Sequence, residues 1–205
     1  MINIGVLSLQ GSIEEHIYML SLINDVNPCK VKTNSDLDNI SGLIIPGGES
    51  TTIGKLINDF NLFEKIIIKA KNNLPIWGTC AGMILMAKNI SNENYSHLGI
   101  MDITVRRNAY GSQLNSFISQ SIIPTISTNK LPLIFIRAPY VEEVCEDVEI
   151  LATLNKKIVA VKQKNMLATS FHPELSNDLT FHKYFVNICK NTNEEVRLIN
   201  NDICI

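Results

Sequence analysis

The chain has 205 residues, of which 45% are hydrophobic and 19% charged, and its formal net charge is −2. Length and composition fit one globular domain with a full core. The small net charge gives no electrostatic reason to expect nucleic acid or an anionic membrane surface as a partner. No run of about 18 apolar residues is present, so no membrane-spanning helix is expected.

The chain opens Met1-Ile2-Asn3-Ile4-Gly5-Val6, without a basic leader, and no signal peptide is expected. Asn3 to Leu9 is a near-continuous apolar run closing on Gln10-Gly11-Ser12, which predicts a buried strand and its exit turn. Ile13, Ile17, Leu20 and Ile23 share one helical face, with Glu14, Glu15 and His16 largely off it. Leu43-Ile44-Ile45 reads as a second buried strand, ended by Pro46-Gly47-Gly48, and helical patterns follow near 52–60 and 63–72. Ile76-Trp77 is a third strand, and a helix is predicted from Ala81 to Lys88. This alternation is the pattern of a parallel sheet with helices on both faces.

The second half changes character. Segments near 100–105, 133–137, 150–154, 157–162 and 166–170 are short and apolar or alternating, and predict strands, several of them antiparallel. A last amphipathic helix spans Leu179 to Lys190. Residues 1–190 are expected to form a single domain and 191–205 a polar tail.

Cysteines stand at 29, 80, 145, 189 and 204, an odd number with no C-x-x-C pair. That argues for a reducing, cytoplasmic setting and against a disulfide framework or a zinc site. Cys29, Cys145 and Cys189 read as buried or half-buried fillers and Cys204 as part of the tail. Cys80 is different. In Trp77-Gly78-Thr79-Cys80-Ala81-Gly82 a buried strand meets Gly-x-Cys-x-Gly and then a helix, the nucleophile-elbow arrangement with sulfur as the nucleophile. The glycines allow a tight turn, and the helix N-terminus favours the reactive thiolate.

Far downstream, Phe171-His172-Pro173-Glu174 offers a base followed by a carboxylate. Cys80, His172 and Glu174 in that order suggest thiol-dependent acyl transfer, with Glu174 fixing the imidazole of His172. The oxyanion of such a reaction needs N–H donors: Ala81 supplies one, and the loop Gly47-Gly48-Glu49-Ser50-Thr51 is the obvious source of another, although the same loop also reads as a cap on the next helix. Arg107 and Arg137 each end a strand-like stretch and suit a substrate carboxylate, while Glu49 suits a substrate ammonium; surface ion pairs are the competing reading. His16, His97 and His182 lack a carboxylate at the spacing of His172 and Glu174, and are expected to be structural. Gln10, Gly47-Gly48-Glu49 and Cys80 all follow strand ends, so an open sheet collects them on one rim.

Taken together, the segments Gly5-Val6-Leu7-Ser8-Leu9-Gln10-Gly11, Pro46 to Thr52, Gly78 to Gly82, Arg107 to Gly111, Ile136-Arg137-Ala138-Pro139 and Phe171 to Glu174 resemble the triad-type glutamine amidotransferases, and within them the glutaminase subunits of pyridoxal 5'-phosphate synthases. The resemblance implies an α/β three-layer sandwich, a mixed and mostly parallel sheet flanked by helices. It implies hydrolysis of L-glutamine to glutamate and ammonia, with Cys80 as nucleophile and His172 and Glu174 completing the triad. By the same resemblance Gly48, Glu49, Ser50, Arg107, Ile136 and Arg137 bind glutamine, Gln10 is a candidate for the partner interface, and no cofactor or metal is required. The implied partner is a (β/α)₈ synthase subunit in a ring-shaped complex, which receives the ammonia and activates the glutaminase by reorienting its oxyanion loop. One departure is Ser112, where many relatives carry arginine. Two other readings stay open: a glutaminase serving a different biosynthetic synthase, and a non-catalytic thiol sensor on a related fold. A cysteine peptidase is a further one, which the paired arginines disfavour.

Overall fold

The computed structural model describes residues 1–107 and 116–202, and in the last helix the side chains up to Glu194 together with Leu198. Ser112 and most of the segment around Tyr110, like Cys204, lie outside the described residues.

Chain order runs β1 (Ile2–Leu7), α1 (Ile13–Ser21), β2 (Val26–Val31), α2 (Asn34–Asp38), β3 (Gly42–Ile45), α3 (Ser50–Asp59), α4 (Phe63–Lys71), β4 (Ile76–Thr79), α5 (Ala81–Met86) and β5 (Ala87–Ile90). It continues through β6 (Met101–Arg106), β7 (Ser116–Ile123), β8 (Ser127–Ile136), β9 (Tyr140–Val144), β10 (Glu149–Leu154), β11 (Lys157–Gln163), β12 (Met166–Thr169), a single 3₁₀ turn (Pro173–Leu175) and α6 (Thr180–Asp202).

Among the described residues ten strands form one sheet in the order β2-β1-β3-β4-β12-β11-β9-β6-β5, with β10 on β11, and β7 and β8 make a separate ribbon. From β2 to β12 every pairing is parallel; beyond β12 the β11, β9 and β6 pairings turn antiparallel. The expected mixed sheet is therefore present, and at its far edge β5 pairs parallel with β6.

Side chains alternate across this sheet, so neighbours in one strand serve opposite cores. Leu43, Ile45 and Ile76 pack with Ile53, Ile57 and Ile66 of α3 and α4 on one face. Ile44, Trp77 and Leu167 pack with Leu20 of α1 and Phe181 and Phe185 of α6 on the other. Each such fully buried side chain contributes about 1.5–3 kcal/mol relative to exposure. The strands read as continuous apolar runs because both faces are covered.

Several boundaries differ from the sequence expectation. The helix after Cys80 ends at Met86, not Lys88, and passes straight into β5. The last helix runs beyond Lys190 to Asp202. Strands β2, β5, β7 and β9 and helix α2 were not expected. Cys145 is exposed, not a buried filler, while Cys29 is half-buried and Cys189 buried. Among the described residues no helix is long and apolar enough to cross a membrane.

Candidate active site

The four strands β1, β3, β4 and β12 lie side by side and parallel, so the segments leaving their carboxyl ends meet on one rim. Those segments carry Gln10-Gly11-Ser12, Gly47-Gly48-Glu49, Cys80 and His172. Together with Ser50, Ala81, Ile84, Arg107, Ile136, Arg137 and Leu175 they line a cleft of about 450 Å³, within the range that holds small ligands. Every site residue expected from sequence lines this cleft except Glu174, which stands behind His172.

Cys80 adopts φ 48° and ψ −100°, a conformation non-glycine residues rarely hold. The surroundings enforce it: its N–H donates to the Thr169 carbonyl at 2.8 Å, and its carbonyl accepts from Met83 N at 3.1 Å. The flanking glycines are required by close approach. A Cβ on Gly78 would lie 2.5 Å from the Gly82 carbonyl oxygen, and one on Gly82 would lie 3.0 Å from the Ile45 carbonyl carbon. Cys80 is 7% exposed at the head of α5, and its thiol donates to the Ile136 carbonyl at 3.8 Å.

His172 Nδ1 lies 2.7 Å from Glu174 Oε1, inside the 3₁₀ turn that Pro173 begins. Burial penalises a charged His172, but its bonds to Cys80 and Glu174 outweigh that and raise it to about 10. Burial also pushes Glu174 up, yet facing His16, bonding His172 and accepting from Ser12 hold its carboxyl at about 2. The Ser12 hydroxyl donates to Glu174 Oε1 at 2.6 Å.

The loop after β3 is tightly held. The Gly47 carbonyl accepts from Ser12 N at 3.0 Å, and the Gly47 N–H donates to Thr79 Oγ1 at 3.0 Å. A Cβ on Gly47 would come within 3.0 Å of His172 Nδ1, so glycine lets the imidazole pack on the loop. Gln10 Oε1 accepts from Glu49 N at 2.8 Å, which makes Gln10 a brace of this loop.

Glu49 is the N-cap of α3, so the loop does cap the next helix; its carboxylate accepts from Thr51 N at 3.3 Å and Thr52 N at 2.7 Å. Partial burial works the other way, but bonds from Thr51 and Thr52 hold Glu49 down at about 2. Arg107 Nη2 lies 3.5 Å from Glu49 Oε1, and Arg107 Nη1 donates to Tyr95 OH at 3.1 Å. Arg137 is exposed at the end of β8 with φ 43°.

Sequence reasoning missed Ser12, Thr79 and His16. His16 was placed off the buried face of α1, yet it is 0% exposed and its Nε2 lies 3.4 Å from Glu174 Oε2. Among the described residues no group of three or more His, Cys, Asp or Glu could hold a metal ion.

This elbow on a mixed sheet, with a histidine–carboxylate pair above it, defines an amidotransferase-type fold and site. The chain belongs to the SNO glutamine amidotransferase family, whose sequence profile matches residues 6–191. It is 55% identical over 183 residues to the pyridoxal 5'-phosphate synthase subunit PdxT of Ruminiclostridium cellulolyticum, covering 89% of this chain and 97% of that one. It is 53% identical over 186 residues to the protein of the same name from Clostridium botulinum, covering 91% and 96%. A crystal structure described as a glutamine amidotransferase superposes with a TM-score of 0.85 at 37% identity, covering 91% of this chain and 98% of that one.

Proposed function

We propose that this enzyme is the glutaminase subunit of a pyridoxal 5'-phosphate synthase, hydrolysing L-glutamine through Cys80, His172 and Glu174 and passing ammonia to a synthase subunit. The observation that carries the reading is that His172, held 2.7 Å from Glu174, lines one cleft with Cys80 at the carboxyl ends of β4 and β12. The relatives named as subunits of that synthase support the choice of acceptor.

Glutamine lies with its carboxamide over Cys80 and its carboxylate toward Arg107 and Arg137. Ser50 and Ile136 line its side-chain path, and Glu49 faces its ammonium. The thiolate attacks, and the oxyanion is met by the N–H groups of Ala81 and Gly48. His172 protonates the departing ammonia and leaves a γ-glutamyl thioester on Cys80. Water, deprotonated by His172, then releases glutamate. Glu174 keeps the imidazole in one orientation throughout.

Gly47 was counted among the oxyanion donors, and its N–H donates instead to Thr79 Oγ1. That bond supports a latent isolated subunit in which docking of the barrel synthase, within a ring-shaped complex, releases the loop. Glutamate release measured with and without the cognate synthase subunit tests the reading. Strong stimulation by the synthase and loss of turnover in Cys80→Ala are expected; near-normal release by Cys80→Ala in the complex sinks the nucleophile, and release unaffected by the synthase sinks the latency.

A further inference from the structure

We propose that His16 is a positioning residue of the active site, holding the second carboxylate oxygen of Glu174 and, through Thr79, the Gly47 peptide of the oxyanion loop. The inference rests on the triad reading above and deepens it.

Glu174 is buried, with 4% exposure, and uses Oε1 twice, for His172 and Ser12. Its other oxygen, Oε2, has no hydrogen bond of good geometry among the described residues, and His16 Nε2 stands against it at 3.4 Å. A buried ionised oxygen left without a donor is costly, so the facing ring nitrogen matters. The same Nε2 lies 3.2 Å from Thr79 Oγ1, the atom that receives the Gly47 N–H. On the other side of the ring, His16 Nδ1 lies 3.0 Å from His182 Nε2 on α6.

One assignment of protons suits all these contacts. His16 carries its proton on Nε2, shared between Glu174 Oε2 and Thr79 Oγ1, and its Nδ1 accepts from the Nε2–H of His182. The remaining nitrogen, His182 Nδ1, is a bare acceptor among the described residues. Both rings are then neutral. Burial favours this, pushing His16 down against the pull of Glu174 and pushing His182 to about 3. The titratable groups facing His16 are Glu174 and His172 from the last loop, His182 from α6 and Glu15 from its own helix. Trp77 closes one side of the ring with an edge contact, centroids 5.6 Å apart.

His16 therefore touches no substrate, yet it sits between the carboxylate that orients the base and the hydroxyl that pins the oxyanion loop. The chemistry separates two conservative variants. His16→Gln keeps a donor near the Nε2 position, while His16→Asn can reach only toward His182.

The experiment measures glutamate release by the complex with its synthase against pH for wild type, His16→Gln and His16→Asn, together with the titration of the His172 ring by NMR in the full-length free chain. The expected result is a loss in kcat of about ten- to a hundredfold for His16→Asn, the range a lost bond to a buried charge gives, with KM changed less than about twofold. His16→Gln is expected to recover most of that loss. The His172 midpoint and the alkaline limb of kcat/KM are expected to move to lower pH in His16→Asn alone, because a loosened Glu174 supports imidazolium less well. Wild-type kcat and an unmoved His172 midpoint in His16→Asn overturn the proposal, as does an equal loss in both variants with only the melting temperature changed. Wild-type protein that releases no glutamate in the complex overturns the glutaminase reading instead, and the ring titration then still tests whether His16 orients Glu174.

Discussion

Ser12 Oγ donates to Glu174 Oε1 at 2.6 Å while Ser12 N donates to the Gly47 carbonyl at 3.0 Å, so one residue at the start of α1 joins the Glu174 carboxylate to the loop after β3. Neither partner is near it in sequence. Ser12→Ala is expected to lower kcat for glutamate release about tenfold, as for a lost bond to a buried charge, while KM stays close to wild type. Steady-state kinetics in the presence of the synthase check this; an unchanged kcat would show that the Ser12 bond is not needed to hold Glu174 in place.

Backbone strain at the nucleophile gives a stability test. Cys80 holds φ 48°, where a Cβ is unfavourable and glycine is not. Cys80→Gly is therefore expected to be more stable than Cys80→Ala by about 1 kcal/mol, the reverse of the order found in ordinary helices. For a chain of this size that is about 2–4 °C in melting temperature. Thermal unfolding of the two inactive variants decides it, and a less stable glycine variant would show that the turn carries no strain.

The charges of His172 and Glu174 set a pH window for stability. Glu174 falls from 4.5 to about 2 on folding, so its contribution is present above pH 4.5 and is lost as pH falls toward 2. His172 rises from 6.5 to about 10, so its contribution is complete below pH 6.5 and is lost as pH rises toward 10. Both act together between pH 4.5 and 6.5. The denaturant midpoint of wild type relative to Glu174→Gln is expected to be highest in that window and to shrink on either side. A difference independent of pH would mean that the carboxylate and imidazole are not coupled in the folded chain.

Arg107 separates binding from stability. Its ion pair with Glu49 is solvent-accessible, with side chains 24% and 49% exposed, and pairs of this kind are worth about 0–1 kcal/mol. Arg107→Ala is expected to leave the unfolding midpoint nearly unchanged and to raise KM for glutamine about tenfold or more, from the loss of a charged bond to the substrate. Isothermal binding of glutamine to a Cys80→Ala complex provides a direct reading, and unchanged affinity would remove Arg107 from the substrate site.

The strands that carry the chemistry were legible because they are buried on both faces. Leu43-Ile44-Ile45 and Ile76-Trp77 are short apolar runs, closed by Pro46-Gly47 and by Gly78, and the elbow and its histidine announce themselves by motif. Strand β2 was not legible: Asn27, Pro28 and Lys30 interrupt any pattern, yet they suit a sheet edge, where proline and charge prevent further pairing. Strand β5 was hidden because α5 passes into it without a turn residue. His16 misled for a related reason. Helical periodicity places a polar residue in solvent, whereas here the polar residue faces inward to meet another buried polar group from 158 positions away in the chain, Glu174 at 3.4 Å. Local pattern carries no record of such a partner.

Strand β12 is wedged between β4 and β11 and is the last strand made, although it borders the first strands of the fold through β4 and β3. The ribosome thus releases Cys80 and its elbow roughly ninety positions before His172 emerges, and long-range pairings of this kind close slowly. A nascent or truncated chain carries Cys80 without His172. On the proposed reading, hydrolytic competence therefore waits for the closing of the sheet around β12.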